Sequence, residues 1–335
     1  MGSASSSLAA DAALPEAPQA PAPRRLSLAV LVPCFNEEAT VAQVVEEFRA
    51  ALPDATVYVY DNASSDRTAD RARAAGAVVR REEMPGKGNV VRRMFADIDA
   101  DVYLLVDGDA TYDAARAPDL VKLLLSGPYD LVNGARVPES AGVYRQGHRV
   151  GNRLLTGLIG FVFGQRFVDI LSGYKAFSRR FVKTFPALAS GFEIETELTV
   201  HALDLRMPVA EIPTPYRERI AGSMSKLSTY RDGLRILWMI VTLAKEERPL
   251  PFFGWISLVL ALISLALGIP VVVEFFRTGL VPRLPTAVLS MGIMVLSFLG
   301  LACGLILDTV TRGRREQKRL RYLAFPSVHG DGAGS

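Results

Sequence analysis

Val102-Tyr103-Leu104-Leu105-Val106-Asp107-Gly108-Asp109 is the stretch that decides the fold. Five apolar residues without a polar break read as a buried β-strand, and the strand runs straight into two carboxylates separated by one glycine. Working outward, Leu28 to Val32 and Thr56 to Tyr60 are strand-like, Ala77 to Arg80 is extended, and Leu131 to Asn133 offers a further short strand. Between them the pattern turns helical, over Glu37 to Ala51, Asp66 to Ala75, Gly88 to Ile98 and Leu120 to Leu125. Strands alternating with helices of this length predict βαβ units and an α/β domain with a mostly parallel sheet. In such sheets ligands bind beyond the carboxyl ends of the strands.

Polar chemistry gathers at those ends. The first strand leads into Pro33-Cys34-Phe35-Asn36-Glu37, the second into Asp61-Asn62-Ala63-Ser64-Ser65-Asp66, and the Val102 strand into Asp107-Gly108-Asp109. Two carboxylates that project toward a common point repel each other unless a cation sits between them. Hard oxygen ligands suit Mg²⁺ or Mn²⁺, ions that commonly also bind substrate phosphates. Asp-Gly is equally a common turn pair, so the triplet taken alone reads either way.

The last third of the chain has a different character. Phe252 to Val273 and Thr286 to Leu307 are apolar runs of membrane-spanning length. The tail that follows carries Arg312, Arg314, Arg315, Lys318, Arg319 and Arg321, whereas Glu274 to Pro285 between the runs has only Arg277 and Arg283. Excess positive charge marks cytoplasmic flanks, so the expectation is an integral membrane protein of two spans with both ends cytoplasmic. The formal net charge is only +3. Beside an apolar segment the basic cluster suits an anionic lipid surface better than nucleic acid, and no nucleic-acid partner is expected.

Cys34 and Cys303 are the only cysteines, one in the expected domain core and one in an apolar run, so no disulfide framework is implied. Gly2 with Ser6 fits a myristoylation pattern, but the Ala/Ser/Pro-rich stretch around them reads as a disordered leader over residues 1–25. Arg24-Arg25 before Leu26 to Val32 imitates a short signal peptide without a cleavage site. His148, His201 and His329 lack metal-ligand spacing.

Taken together, Val32 to Glu38, Asp61 to Thr68, Gly86-Lys87-Gly88 and Asp107-Gly108-Asp109 closely resemble the inverting family 2 glycosyltransferases of the GT-A fold. Within that family the chain is similar to the polyprenyl-phosphate (dolichol-phosphate) sugar synthases. The likeness continues through Gly134-Ala135-Arg136, Leu171 to Tyr174, Gly191 to Glu195 and Gly222 to Lys226. It implies a Rossmann-like GT-A catalytic domain over residues 26–229, an interfacial amphipathic helix over 230–250, a two-helix hairpin over 251–308 and a basic cytoplasmic tail over 309–335. Leu154 to Val168 is a second apolar segment that either packs in the core or lies at the interface.

The resemblance also implies roles. Pro33, Phe35, Glu37, Tyr60, Asp61 and Asn62 would line a nucleotide pocket, together with Lys87, Asp107, Gly108 and Asp109. Asp107 and Asp109 would hold the metal–diphosphate, Mg²⁺ or Mn²⁺, with Asp109 the closer ligand. Arg136, Arg153, Arg219 and Lys226 would contact phosphates of donor or acceptor, and Glu193 and Glu195 would orient the sugar. Asp109 and Arg136 are the candidate catalytic residues. Asn62 stands where the family usually has a second aspartate. Gly86-Lys87-Gly88 reads as a phosphate cradle or as a helix-entry turn.

The expected reaction is inverting hexose transfer from a UDP- or GDP-linked nucleotide sugar to a polyprenyl phosphate, undecaprenyl or dolichyl, at the cytoplasmic membrane face. The chain could also form a homo-oligomer. Competing readings are an anchored enzyme acting on a hydroxyl acceptor in cell-envelope polysaccharide synthesis, and a non-catalytic membrane-binding module. A processive polysaccharide synthase would show Gln-x-x-Arg-Trp, whereas Gln146-Gly147-His148-Arg149 is followed by Val150.

Overall fold

The computed structural model describes residues 26–138, 167–187, 193–217 and 245–328, with positions 157, 160, 191, 238, 241 and 242 isolated between them. Seven strands form one sheet: β1 (Leu28–Cys34), β2 (Ala55–Asp61), β3 (Val78–Arg81), β4 (Val102–Leu105), β5 (Leu131–Pro138), β6 (Lys175–Ser178) and β7 (Val209–Tyr216). Their order is β3-β2-β1-β4-β6-β5-β7. β3, β2, β1 and β4 run parallel, β6 is antiparallel to both neighbours, and β7 is parallel to β5.

The mostly parallel sheet expected from the sequence is therefore present, with one reversed strand. β6 and β7 are additions to the elements legible in the sequence. β7 carries Pro213 and Pro215, which cannot donate to a ladder and so argue against a strand in sequence. Its place at the sheet edge, with β5 as its one neighbouring strand in the sheet, accommodates them.

Helices cover both faces. They are α1 (Val41–Ala51), α2 (Thr68–Ala74), α3 (Lys87–Asp97), α4 (Ala117–Ser126), α5 (Arg179–Thr184) and α6 (Ile194–Asp204). Alternate residues of each strand point to opposite faces, so the core is in two parts. Val30, Val32, Val57, Val59, Val102 and Leu104 pack with Val41, Val44, Val45 and Phe48 of α1. Those four recur at the i, i+3, i+4, i+7 spacing of one helix face. Leu31, Leu105, Tyr103 and Phe177 pack on the other side with Val91, Met94 and Phe95 of α3 and with α5 and α6. Each such side chain contributes about 1.5–3 kcal/mol on burial.

His201 lies inside this second layer, edge-on to Phe181 and Phe185, with Nε2 3.3 Å from the Thr184 hydroxyl. Burial pulls its imidazole down to about 3, helped by Lys318. The folded value is depressed, so its contribution to stability is complete above about pH 6.5 and is lost as pH falls toward 3. A His201→Leu variant is accordingly expected to lose less stability than the wild type between pH 7 and pH 5 in denaturant titrations. Parallel losses in the two proteins would contradict this assignment.

Two helices follow, α7 (Pro249–Thr278) and α8 (Leu284–Leu323), each long and apolar enough to cross a membrane. Their outward side chains, among them Phe276, Leu284 and Met291, are exposed, unlike those of a soluble core helix. Small residues line the seam between them. Ser264 and Ser290 exchange hydroxyl-to-carbonyl hydrogen bonds of 2.7 and 2.9 Å, and the Ser297 hydroxyl donates to the Ser257 carbonyl at 2.7 Å. A Cβ on Gly268 would come within 2.6 Å of the Ser290 hydroxyl, and one on Gly300 within 2.7 Å of that of Ser257. Close helix approach of this kind is what small residues permit in an apolar medium. Gly279, at φ +71°, ends α7 in the left-handed conformation.

The stretch after the second apolar run is not a separate segment. It continues α8, and much of its charge is turned onto the α/β domain. Arg315 and Lys318 pair with buried Asp204, and Arg319 donates to the Leu205 carbonyl at 2.6 Å. The Tyr322 hydroxyl donates to Asp130 at 2.7 Å, beneath the Arg180 guanidinium 4.7 Å from its ring centre. Arg312 pairs with Asp308 one turn earlier at 2.9 Å.

Candidate active site

The chain reverses its winding at β1, which pairs with β2 on one side and β4 on the other. This is the switch point where a doubly wound sheet opens a crevice. Each loop leaving β1, β2 and β4 there contains one non-glycine residue in the left-handed region: Asn36 (φ 53°), Ala63 (φ 55°) and Ala110 (φ 57°). Such backbone costs on the order of 1 kcal/mol per residue and persists where surrounding bonds over-determine it.

Those bonds are visible. The Asn36 N–H donates to the Ser64 hydroxyl (2.9 Å), and the Ser65 N–H to the Asn36 side-chain oxygen (2.8 Å). The Glu37 N–H donates to the Thr68 hydroxyl (2.8 Å), and the Glu38 N–H to Asp66 (3.1 Å). Thr40 precedes α1 without capping it. Its hydroxyl donates instead to the Gly108 carbonyl at 2.7 Å, fastening the first loop to the Asp-Gly-Asp turn. A Cβ on Gly108 would lie 2.5 Å from the Cys34 sulfur, so only glycine allows this approach.

Asp109 is buried, and its Oδ1 accepts from the Thr111 hydroxyl (2.6 Å) and N–H (3.2 Å). Asp107 pairs with the ammonium of Lys87, the first residue of α3, and Lys87 also pairs with Glu195 of α6. Burial works against the Lys87 charge, but the two carboxylates outweigh it and hold the ammonium above its usual range. Burial pushes the Glu195 carboxyl up, with Lys87 opposing.

Strand register brings Arg136 to the same place. Leu105 and Asn133 both pair with Lys175 of β6, so Asp107 and Arg136 follow level positions on β4 and β5, the two strands that flank β6. The Gly173 backbone packs against the first of these: a Cβ there would come within 2.5 Å of the Asp107 carboxylate. Its N–H donates to the Tyr112 hydroxyl at 2.7 Å. Asp169 grips Arg136 through Nε (2.6 Å) and Nη2 (2.9 Å), and Arg136 lies 5.5 Å from the Tyr216 ring centre. Burial raises the Asp169 carboxyl, but the bonds from Arg136 prevail and hold it below the usual range.

The other sequence candidates divide. Glu37 and Asp61 are buried at the strand ends, and Phe35 is exposed at the rim. Asp61 Oδ1 has no hydrogen-bond partner among the described residues. Tyr60 must be corrected as a pocket residue. Side-chain alternation turns its ring under α3, where the hydroxyl meets Asp97 (3.1 Å) and Arg80 (3.2 Å).

Asn62 also serves elsewhere. Its amide donates to the carbonyls of Glu82 (3.0 Å) and Met84 (2.7 Å) and accepts from the Gly86 N–H (2.7 Å). An aspartate could not donate to those two carbonyls. Glu193 is the half-buried residue before α6, separate from the Lys87–Glu195 pair. Arg153, Arg219 and Lys226 lie outside the described residues.

Asp169, Tyr112, Lys175, Asn133 and Glu211 belong to this neighbourhood and carry no sequence signal of their own. Asp169 follows the apolar pair Phe167-Val168, and the rest stand within or beside strands.

Among the described residues no group of three or more His, Cys, Asp or Glu side chains could hold a metal ion. Two carboxylates that leave further positions to diphosphate oxygens and water are the usual arrangement for Mg²⁺ or Mn²⁺. Asp107 and Asp109, with Gly173 closing against Asp107, fit that pattern.

A doubly wound sheet with this crevice, its Asp-Gly-Asp turn and facing cations has the architecture of the GT-A type. Residues 29–185 match the model described as Glycosyl transferase family 2. Glycosyltransferase AglJ of Haloferax volcanii is 34% identical over 300 residues, covering 89% of this chain and 98% of that protein. The dolichyl-phosphate hexose transferase of the same species is 30% identical over 221 residues, 66% of this chain and 95% of that protein. Glucosyl-3-phosphoglycerate synthase from Mycobacterium tuberculosis, solved with Mn²⁺, UDP and glucosyl-3-phosphoglycerate, superposes with a TM-score of 0.52. It is 26% identical and covers 66% of this chain and 79% of that one. The chain belongs to glycosyl transferase family 2, and it is an enzyme that transfers a sugar.

Proposed function

We propose that the enzyme transfers a hexose from a nucleotide sugar to a polyprenyl phosphate at a membrane surface, releasing a nucleoside diphosphate. The observation that carries this reading is the attachment of the catalytic domain to α8. Arg315, Lys318 and Tyr322 bind Asp204 and Asp130, so the strand-end site is held at a set position relative to the apolar hairpin. A similar protein named dolichyl-phosphate hexose transferase supports the lipid acceptor.

On this reading Asp61 accepts an N–H from the nucleobase, which would satisfy its unpartnered oxygen. Asp107 and Asp109 would hold Mg²⁺ or Mn²⁺, which would supply positive charge to the departing diphosphate. Lys87 and Arg136 supply positive charge to the phosphates of donor and acceptor. A phosphate monoester has a second pKa of about 6, so its attacking oxygen is mostly ionised at neutral pH and needs no general base. What the residues contribute is alignment and charge stabilisation. A single in-line displacement inverts the sugar, turning an α-linked donor into a β-linked product.

The test is a panel of UDP- and GDP-sugars with undecaprenyl or dolichyl phosphate in liposomes and Mg²⁺, read as lipid-linked sugar. Product only with water-soluble acceptors would replace this assignment by the hydroxyl-acceptor one. The proposed layout has the catalytic residues 26–229, the interfacial helix 230–250 and the tail 309–335 in the cytoplasm, with hairpin 251–308 spanning the bilayer. Cysteines introduced at Thr278 and Ser327, in a chain lacking Cys303, report this orientation. An impermeant reagent on intact cells is expected to label position 278 alone, and labelling of 327 alone would invert the topology.

A further inference from the structure

We propose that Lys175 is a positioning residue for the transfer reaction, a buried ammonium that locks the Arg136 side and the Lys87–Asp107 side of the site into one arrangement. The proposal rests on the reading that these two sides meet the reacting phosphates. Lys175 opens β6, the strand between β4 and β5, and pairs with Leu105 on one side and Asn133 on the other. It is fully buried, and its three donors meet three neutral oxygens: Asn133 Oδ1 (2.5 Å), the Ile170 carbonyl (3.4 Å) and the Thr199 hydroxyl (3.5 Å).

Two branches leave from these contacts. Because Asn133 Oδ1 faces the ammonium, its amide nitrogen turns to Glu211 Oε1 (2.7 Å) and the Asp169 carbonyl (2.8 Å). Glu211 in turn accepts from the N–H groups of Val168 (2.7 Å) and Asp169 (3.1 Å). These bonds fix the backbone whose carboxylate grips Arg136. On the other branch the Thr199 hydroxyl donates to the Glu195 carbonyl at 3.1 Å, holding the turn of α6 from which Glu195 reaches Lys87, the partner of Asp107.

Burial draws the Lys175 ammonium down to about 8, while Asp169, Glu195 and Glu211 counter it and Arg136 adds to the fall. Among the described residues no carboxylate accepts a hydrogen bond from it, so keeping the charge there costs stability that an apolar side chain of similar length would not. Stability therefore does not account for a lysine at this place, whereas orientation of two polar branches does.

Lys175→Met keeps the length and removes the ammonium. It is expected to fold with a Tm at or above that of the wild type and to lose about 30-fold in kcat, with little change in donor KM, since misplaced groups tax the transition state most. Thr199→Val, which keeps the shape and cuts only the α6 branch, is expected to lose several-fold while staying folded. In an Arg136→Lys background the Lys175→Met loss should shrink to a few-fold, because the Arg136 branch is then already impaired and only the α6 branch remains to be lost. Release of nucleoside diphosphate is measured with polyprenyl phosphate and with any soluble acceptor the enzyme accepts. A change of acceptor class would overturn the lipid assignment but leave the Lys175 comparison intact. Wild-type kcat in Lys175→Met, or in Thr199→Val if the first does not fold, or losses that multiply fully with Arg136→Lys, would overturn the proposal.

Discussion

Asp109→Asn is expected to remain folded and to lose about a hundredfold or more in turnover, the scale of removing one principal electrostatic element. The near-isosteric amide keeps an oxygen to accept the two Thr111 hydrogen bonds, so the turn after β4 survives. What disappears is a full negative charge at a buried position beside Asp107, and with it most of the attraction for a divalent cation. Mn²⁺ titration followed by electron paramagnetic resonance reads this loss independently of activity. Chelation with EDTA should silence the wild type until Mg²⁺ or Mn²⁺ returns. Undiminished turnover in either case would refute a metal-dependent transfer.

Arg136 gives the second large effect, and its surroundings change what substitution does. Its side chain is 15% exposed and that of Asp169 only 4%, so truncation strands a carboxylate in a nearly dry place. Arg136→Ala is therefore expected to cost about 3 kcal/mol of stability as well as nearly all transfer. Adding Asp169→Asn to it should return much of the stability and none of the activity, which separates the two roles. Arg136→Lys keeps the charge but cannot reproduce the planar two-point grip on Asp169, so it should also fall well below the wild type. Thermal melts and lipid-linked product formation measure both quantities. Near-wild-type transfer by Arg136→Lys would show that a point charge is enough.

The parallel half of the sheet was legible because its strands end in short polar motifs and its helices keep a clean apolar period, as in Val41, Val44, Val45 and Phe48. The two strands flanking β5 were not. β6 is only four residues long, and β7 is interrupted by two prolines. The carboxylates Asp107 and Asp109 could be read once the triplet was combined with the other strand-end motifs, whereas Asp169 could not, because its pairing with Arg136 depends on chain returning from 33 residues away. Tyr60 failed as a pocket residue for a simpler reason: in a strand the side chain before a site residue faces the opposite layer. The basic tail misled in another way, since composition cannot tell an arginine facing lipid headgroups from one bonded to Asp204.

α8 is unbroken from Leu284 to Leu323, about 60 Å at 1.5 Å per residue, of which a bilayer's hydrocarbon takes about 30 Å. The remainder is a stiff rod fastened at its far end by Arg315, Lys318, Arg319 and Tyr322. A spanning helix answers a thicker or thinner bilayer by changing its tilt. With no hinge in the rod, that rotation passes to the catalytic domain and shifts the height of its crevice above the headgroups. On the proposed lipid-phosphate reading, bilayer thickness would be a mechanical input to the enzyme, setting how far the acceptor phosphate must rise from the membrane to meet the sugar.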